Sequence, residues 1–131
     1  MSGNGRWIAF ASRRNDLVAG DTEDAWDVFV RDTVANSTLR ISQTAAGAGL
    51  LGASTPTLTP DGRFLAYRTG DTLPLTAAPV TSNGYAQVVV HDRDSDHDGV
   101  FDEVGAVSDL VLPESGDLGI AGDYGSGSVW I

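Results

Sequence analysis

Thr59-Pro60-Asp61-Gly62-Arg63-Phe64-Leu65-Ala66-Tyr67 runs from a turn dipeptide straight into an apolar segment. Asp61-Gly62 tolerates the positive φ of a tight turn. The segment behind it is aromatic and branched and too short for an ordinary helix, which predicts a strand. The phrase occurs twice. Asn4-Gly5-Arg6-Trp7-Ile8-Ala9-Phe10 opens the chain in the same way, and Gly5 precedes Gly62 by 57 residues (62 − 5). A second matched pair, Asp27-Val28-Phe29-Val30-Arg31-Asp32 and Gln87-Val88-Val89-Val90-His91-Asp92, stands 60 residues apart (92 − 32). The later copy has therefore gained three residues between its two segments. A repeat of this period means two copies of one supersecondary unit.

The repeated segments are apolar on both alternations. Trp7, Ala9 and Ala11 fall on one side of the first, Ile8 and Phe10 on the other. A strand with one wet face would alternate with polar residues, so both faces of these strands are expected to be covered. Val28-Phe29-Val30 and Val88-Val89-Val90 read the same way. Thr38-Leu39-Arg40-Ile41-Ser42 alternates cleanly, as an outer strand nearer water does. Stacked blades of a β-propeller meet these conditions, because each small sheet lies between two neighbours.

The phrase "TPDGRFLAY", followed by a long loop and "DVFVRD" or its counterpart, resembles the repeat of TolB-type (WD-like) bacterial β-propellers over roughly residues 1–112. The resemblance implies an all-β fold of about two four-stranded antiparallel blades, a partial propeller. By analogy the second blade takes residues 55–112, with strands near 55–58, 63–69, 86–92 and 106–112. The first takes residues 1–54, with strands near 6–12, 27–32 and 38–43 and no opening strand. Residues 113–131 form an irregular tail, in which Ser128-Val129-Trp130-Ile131 resembles the opening strand of a further blade. Closed propellers typically hold about 4–8 blades. Either the chain is a piece of a longer propeller, or copies assemble in a ring in which Ser128–Ile131 of one completes the first blade of the next. Three copies would then give about six blades.

The chain has 131 residues, 18 acidic and 8 basic, for a net charge of −10; every basic residue is Arg. This charge repels phosphate backbones and anionic membrane surfaces, so neither nucleic acid binding nor membrane insertion is expected. It suits solubility and cation binding. Without cysteine there is no disulfide or thiolate metal site. Residues 1–20 carry no signal-peptide core. The family resemblance implies export to the periplasm or exterior, with the signal supplied by a longer protein.

The sharpest chemical signal is Asp92-Arg93-Asp94-Ser95-Asp96-His97-Asp98-Gly99-Val100-Phe101-Asp102-Glu103. Counting from Asp94, carboxylates fall at positions 1, 3, 5 and 9 and glycine at 6, the D-x-D-x-D-G order of a calcium loop. Alternate carboxylates converge as such a loop curls, Gly99 permits the sharp turn, and the Val100 carbonyl adds a hard oxygen. The expected ligands are Asp94, Asp96, Asp98, Val100, Asp102 and Glu103, and the expected ion is Ca²⁺. Position 12 is Gly105, which cannot ligate; Glu103 substitutes for it only if the backbone departs from the EF-hand path. No helices flank the loop, which is closer to the loops of thrombospondin type 3 repeats. Affinity is expected on the order of 10⁻⁴ to 10⁻³ M, as in extracellular modules. His97 is expected to face solvent. Crowding of Asp92, Asp94, Asp96, Asp98 and Asp102 would fray the hairpin unless a cation stapled it.

Other candidates carry less. The loop from Ser12 to Asp27 holds Asp16, Asp21, Glu23, Asp24 and Asp27, and is read as solvated, its carboxylates capping turns rather than forming a second cation site. Its counterpart from Gly70 to Gly84 is poor in acids. Asn36-Ser37-Thr38 matches a glycosylation acceptor but sits where a hairpin turn is needed, and the turn is the better reading. Gly47-Ala48-Gly49-Leu50-Leu51-Gly52 spells a dinucleotide glycine pattern, yet Ser54-Thr55-Pro56 follows in place of a helix.

Enzymatic chemistry finds no constellation. Cysteine and lysine are absent, no Gly-x-Ser-x-Gly elbow occurs, and His91 and His97 both adjoin the acidic loop. The expected function is a non-enzymatic extracellular binding or scaffold module, calcium-bound, with a protein or carbohydrate partner of unspecified identity. The alternative is the propeller portion of a larger secreted hydrolase whose catalytic residues lie outside this chain.

Overall fold

Gly5 and Gly62 adopt φ of 72° and 85°, and each turn is closed by an N–H donated back three residues, Gly5 to Ser2 and Gly62 to Thr59. From these turns the chain leaves as β1 (Trp7–Ser12) and, one repeat later, β5 (Phe64–Thr69). The computed structural model describes residues 1–113 except Glu23, Ala45, Ala46, Ala48, Leu51 and residues 71–86; the side chains of residues 111–113 are not described. The expectations placed on the Gly70–Gly84 loop (beyond Gly70 itself) and on Ser128–Ile131 lie outside these residues.

The fold is all-β. β1, β2 (Asp27–Asp32) and β3 (Ser37–Arg40) form a three-stranded antiparallel sheet, sheet one. β4 (Ser54–Leu58), β5, β6 (Gln87–Asp92) and β7 (Ser108–Pro113) form a four-stranded antiparallel sheet, sheet two. Among the described residues there is no helix. The strands expected at 6–12, 27–32, 55–58, 63–69, 86–92 and 106–112 are present within two residues of those bounds. β3 stops at Arg40, short of residue 43. The reason is local: the Ser42 hydroxyl accepts the Val28 N–H (2.9 Å) and donates to Asp27 (2.7 Å), so the ladder ends on a side chain.

The repeat extends to register. Trp7 pairs with Asp32, Ala9 with Val30 and Ala11 with Val28; Phe64 pairs with Asp92, Ala66 with Val90 and Arg68 with Val88. Each pair in one sheet is carried onto its counterpart by the two offsets. The same holds for ion pairs. Arg6 grips Asp32 through Nε and Nη2, and Arg63 grips Asp92 in the same way. Asn4 and Asp61 each accept the backbone N–H two residues on, from Arg6 and Arg63. Ser2 and Thr59 both exchange hydrogen bonds with the first strand residue, Trp7 and Phe64.

The core lies between the sheets. Val28, Val30 and Ile41 of the first unit meet Leu58, Leu65, Tyr67 and Val89 of the second, with Trp7, Ala9 and Ala11 packed against them. On the other side of sheet one, Phe10 stacks on Phe29 at 5.6 Å between ring centroids. Among the described residues only the Trp7–Ala9–Ala11 face of β1 is covered by the other sheet, while Phe10 rests on its cross-strand neighbour Phe29 and stays half-buried. β1 itself packs beside β4.

Candidate metal centre

Past β6 the chain enters the acidic loop with three consecutive fixed points. Asp92 is held by Arg63 and accepts the Asp94 N–H at 3.1 Å. Ser95 donates its N–H to Ala106 and Asp102 to Arg93, both at 2.8 Å, which closes the loop at its neck. His97, Gly99, Asp102 and Gly105 all take left-handed φ between 65° and 88°. Gly99 stands at the sharp turn the spacing demanded of it.

Inside the neck the backbone wraps Asp94. This carboxylate is buried, 6 % exposed, and accepts N–H groups from Asp98 (3.0 Å) and Gly99 (3.2 Å). Asp98 accepts the Val100 N–H at 2.8 Å. Asp94, Asp96 and Asp98 each offer a carboxylate oxygen, and these oxygens lie within 4.8 Å of one another. Calcium ligands sit about 2.3–2.6 Å from the ion, so oxygens sharing one ion are separated by at most about 5 Å. The triad meets that limit. Each carboxylate has about four lone-pair sites, so the backbone bonds leave room for a cation.

Of the other expected carboxylate ligands, Asp102 and Glu103 fall outside this group. Arg93 takes the Asp102 carboxylate through Nε (2.9 Å) and Nη2, which sets Asp102 apart from the triad. Val100 and Glu103 are exposed. Of the five crowded carboxylates, Asp92 and Asp102 are each neutralised by a guanidinium, and the repulsion expected to fray the hairpin falls on three. His97 is exposed, as expected; its Nδ1–H donates to the Ser95 carbonyl while Nε2 accepts from Arg63.

Arg93 is the residue that sequence reasoning passed over. It is fully buried, 0 % exposed, in the middle of an acidic run. Its guanidinium lies 4.1 Å from the Trp7 ring centroid and 4.9 Å from that of Phe101, and its Nη1 donates to the Gly62 carbonyl at 2.7 Å. The acidic loop is therefore tied to the opening strand of the first repeat, with Trp7 and Phe101 5.6 Å apart. The sequence signal was present: an Arg between Asp92 and Asp94, with an aromatic residue and Asp102 eight and nine positions on. A groove of about 720 Å³ opens beside this cluster, lined by Arg6, Trp7, Leu39, Asp61, Val100 and Phe101 among others.

The Ser12–Asp27 loop differs from its reading as solvated. Asp16 and Asp24 do form surface pairs, with Arg14 and Arg13. Asp21 and Asp27 are buried, at 5 % and 1 % exposure; Asp21 pairs with buried Arg40 at 3.2 Å. A buried carboxylate needs such partners, and the sequence spacing did not show Arg40 turning inward. Asn36 takes φ of 57° in the β2–β3 hairpin, the role its turn chemistry fits.

Paired to Arg63, Asp92 has a pKa below the usual carboxylate range, chiefly through that hydrogen bond and against a smaller opposing effect of burial. A lowered folded-state pKa gives stability that is present above the unfolded value, about 3.9, and is lost as pH falls through the folded one. In Arg63→Gln the Asp92 carboxyl is expected to titrate close to its unfolded value, and acid unfolding to begin at higher pH. Carboxyl chemical shifts followed by NMR against pH check this; an ordinary Asp92 titration in the unsubstituted chain would contradict it.

No protein-family model matches the chain, no curated protein sequence is similar to it, and no solved structure matches its fold.

Proposed function

We propose that this chain is a calcium-binding β-repeat segment that serves as a non-enzymatic binding or scaffold module outside the cytoplasm. Its two sheets are read as adjacent blades of a TolB-like propeller. The observation that carries the metal reading is the convergence of Asp94, Asp96 and Asp98 at the tip of the β6–β7 hairpin. All three donors are hard oxygens, which favour Ca²⁺ over softer ions, and the loop offers no nitrogen or sulfur to a transition metal beyond His97, whose Nε2 already accepts from Arg63. In this reading Asp102 is the partner of Arg93, and the ion is held by the triad, backbone carbonyl oxygen and water.

The cation acts as a staple. Three carboxylates whose oxygens lie within 4.8 Å repel one another, and a divalent ion reverses that repulsion. Arg93 carries the resulting order to Trp7 and so to the groove, the concave surface on which a protein or carbohydrate partner would be bound. Support for the scaffold reading also comes from the repeated register and ion pairs, which describe a unit built for stacking rather than for placing a nucleophile beside a base.

Titration calorimetry and thermal melts test the metal reading. At tenfold excess over the dissociation constant, Ca²⁺ is expected to add about 1.4 kcal/mol of stability and to raise the melting temperature by about 3–8 °C. Asp96→Asn, at an exposed position, should abolish this response without unfolding the chain. Mg²⁺, which dehydrates reluctantly, should give a smaller shift. Absence of both heat and melting shift at 10-fold the concentration range of extracellular sites, about 10 mM Ca²⁺, would refute the proposal.

A further inference from the structure

The repeat assigns every packed position in sheet one a counterpart in sheet two, and the counterparts are not all covered by described residues. Sheet one faces sheet two with Trp7, Ala9, Ala11, Val28 and Val30. Carried forward by the two offsets, these become Phe64, Ala66, Arg68, Val88 and Val90. Identical register places them together on the side of sheet two turned away from sheet one. Leu110, directly opposite Val90 on β7, shares that side. Phe64, Val88 and Val90 are only half-buried there, and Leu110 is 59 % exposed. The resemblance reaches the rings: Arg6 lies 4.6 Å from the Trp7 centroid and Arg63 4.7 Å from that of Phe64. On Trp7, Arg93 and Phe101 of the second unit complete the packing; among the described residues Phe64 receives no such second cover.

The converse holds for the opposite end. Sheet two meets sheet one with Leu65, Tyr67 and Val89, and their counterparts Ile8, Phe10 and Phe29 lie on the far side of sheet one. There Phe29 is already fully buried beside the Arg40–Asp21 pair, and Ile8 and Phe10, both half-buried, form the part left to a partner. The chain thus uses one pair of complementary faces internally and carries the same pair, apart, on the outer sides of its two described sheets. We infer that the far face of sheet two, centred on Phe64, Val88, Val90 and Leu110, is a docking surface for the far face of sheet one of a second copy of this chain. This inference rests on the paired-sheet reading above and is independent of the cation.

The contact is head to tail, and so generates a ring or an open filament rather than a two-fold dimer. It continues an interface the chain already makes, which is what selects a second copy as the occupant. Two features set its strength. The position equivalent to Arg93 (93 − 60) is Thr33, so the buried guanidinium is not reproduced between copies. A net charge of −10 on each copy opposes association and is screened by salt. Association is therefore expected on the order of 10–100 µM and to strengthen as salt rises, as for an apolar contact between like-charged bodies.

Sedimentation velocity on the full chain, from about 5 to 500 µM in low and high salt, tests this. The average mass is expected to rise with concentration, more so in high salt. Val90→Glu on one face and Ile8→Glu on the other should each weaken association tenfold or more, because a charge is then buried in the contact. Leu110→Glu, at an exposed position, gives the same readout without risk to the core. Mixing the Val90→Glu and Ile8→Glu chains leaves one intact face of each kind, so the mixture should form a limited heterodimer that neither variant forms alone. A wild-type chain that stays monomeric at 500 µM, variants that associate like wild type, or a mixture that stays monomeric while wild type associates would each overturn the docking surface. Cooperative unfolding of such a monomer would show that the two packed sheets stand even though the docking surface does not.

Discussion

Replacing Arg93 with alanine is expected to lower stability by about 3–5 kcal/mol, the usual cost of removing one member of a buried ion pair. The side chain is wholly enclosed and meets four groups at once: the Asp102 carboxylate, the Gly62 carbonyl, and the rings of Trp7 and Phe101. Its loss leaves a largely buried carboxylate without its guanidinium, an acceptor carbonyl without its donor, and a cavity between two aromatic rings. Lysine cannot replace it, since an ammonium lacks the planar fork that engages Asp102 through two nitrogens while lying over the rings. Denaturant titration of wild type, Arg93→Ala and Arg93→Lys, each with and without Ca²⁺, measures this. A loss under 1 kcal/mol for Arg93→Ala would show that the contact contributes nothing appreciable beyond solvation.

Gly62→Ala is expected to cost about 2–5 kcal/mol, and its repeat counterpart supplies the control. Both glycines have positive φ, where an L side chain costs about 1–2 kcal/mol. A Cβ on Gly5 meets nothing within 4 Å, whereas a Cβ on Gly62 falls 2.5 Å from Cδ1 of Trp7. Trp7 has little room to yield, being packed by Arg6, Arg93 and Phe101. Overpacking of this kind adds about 1–3 kcal/mol. Gly5→Ala should therefore show the backbone cost alone, and the difference between the two variants isolates the contact between the repeats. Equal losses at Gly5 and Gly62 would mean that Trp7 moves aside freely.

Most of the secondary structure was legible because the repeat states it twice. A turn glycine followed by an aromatic and a branched residue fixes the start of β1 and β5, and the match between Asp32 and Asp92 fixes the ends of β2 and β6. The acidic loop was equally plain, since liganding by alternate residues is a local property of spacing. Asp94, Asp96 and Asp98 come together as the spacing says they should. What spacing could not supply was competition for the carboxylates. Asp102 occupies a ligand position in the one-dimensional pattern, yet Arg93 reaches it first.

The amino-acid order alone determined the all-β class, the two copies of the unit and the site where a cation could gather three carboxylates. These follow from nearest-neighbour chemistry and the two-residue period of a strand. Only the tertiary structure decided that Arg93 is buried against a tryptophan 86 residues earlier (93 − 7), that Asp21 turns inward to Arg40, and which face of each sheet is used. The physical reason is that burying a charge depends on partners brought from far along the chain, and no local pattern of residues records which partner arrives.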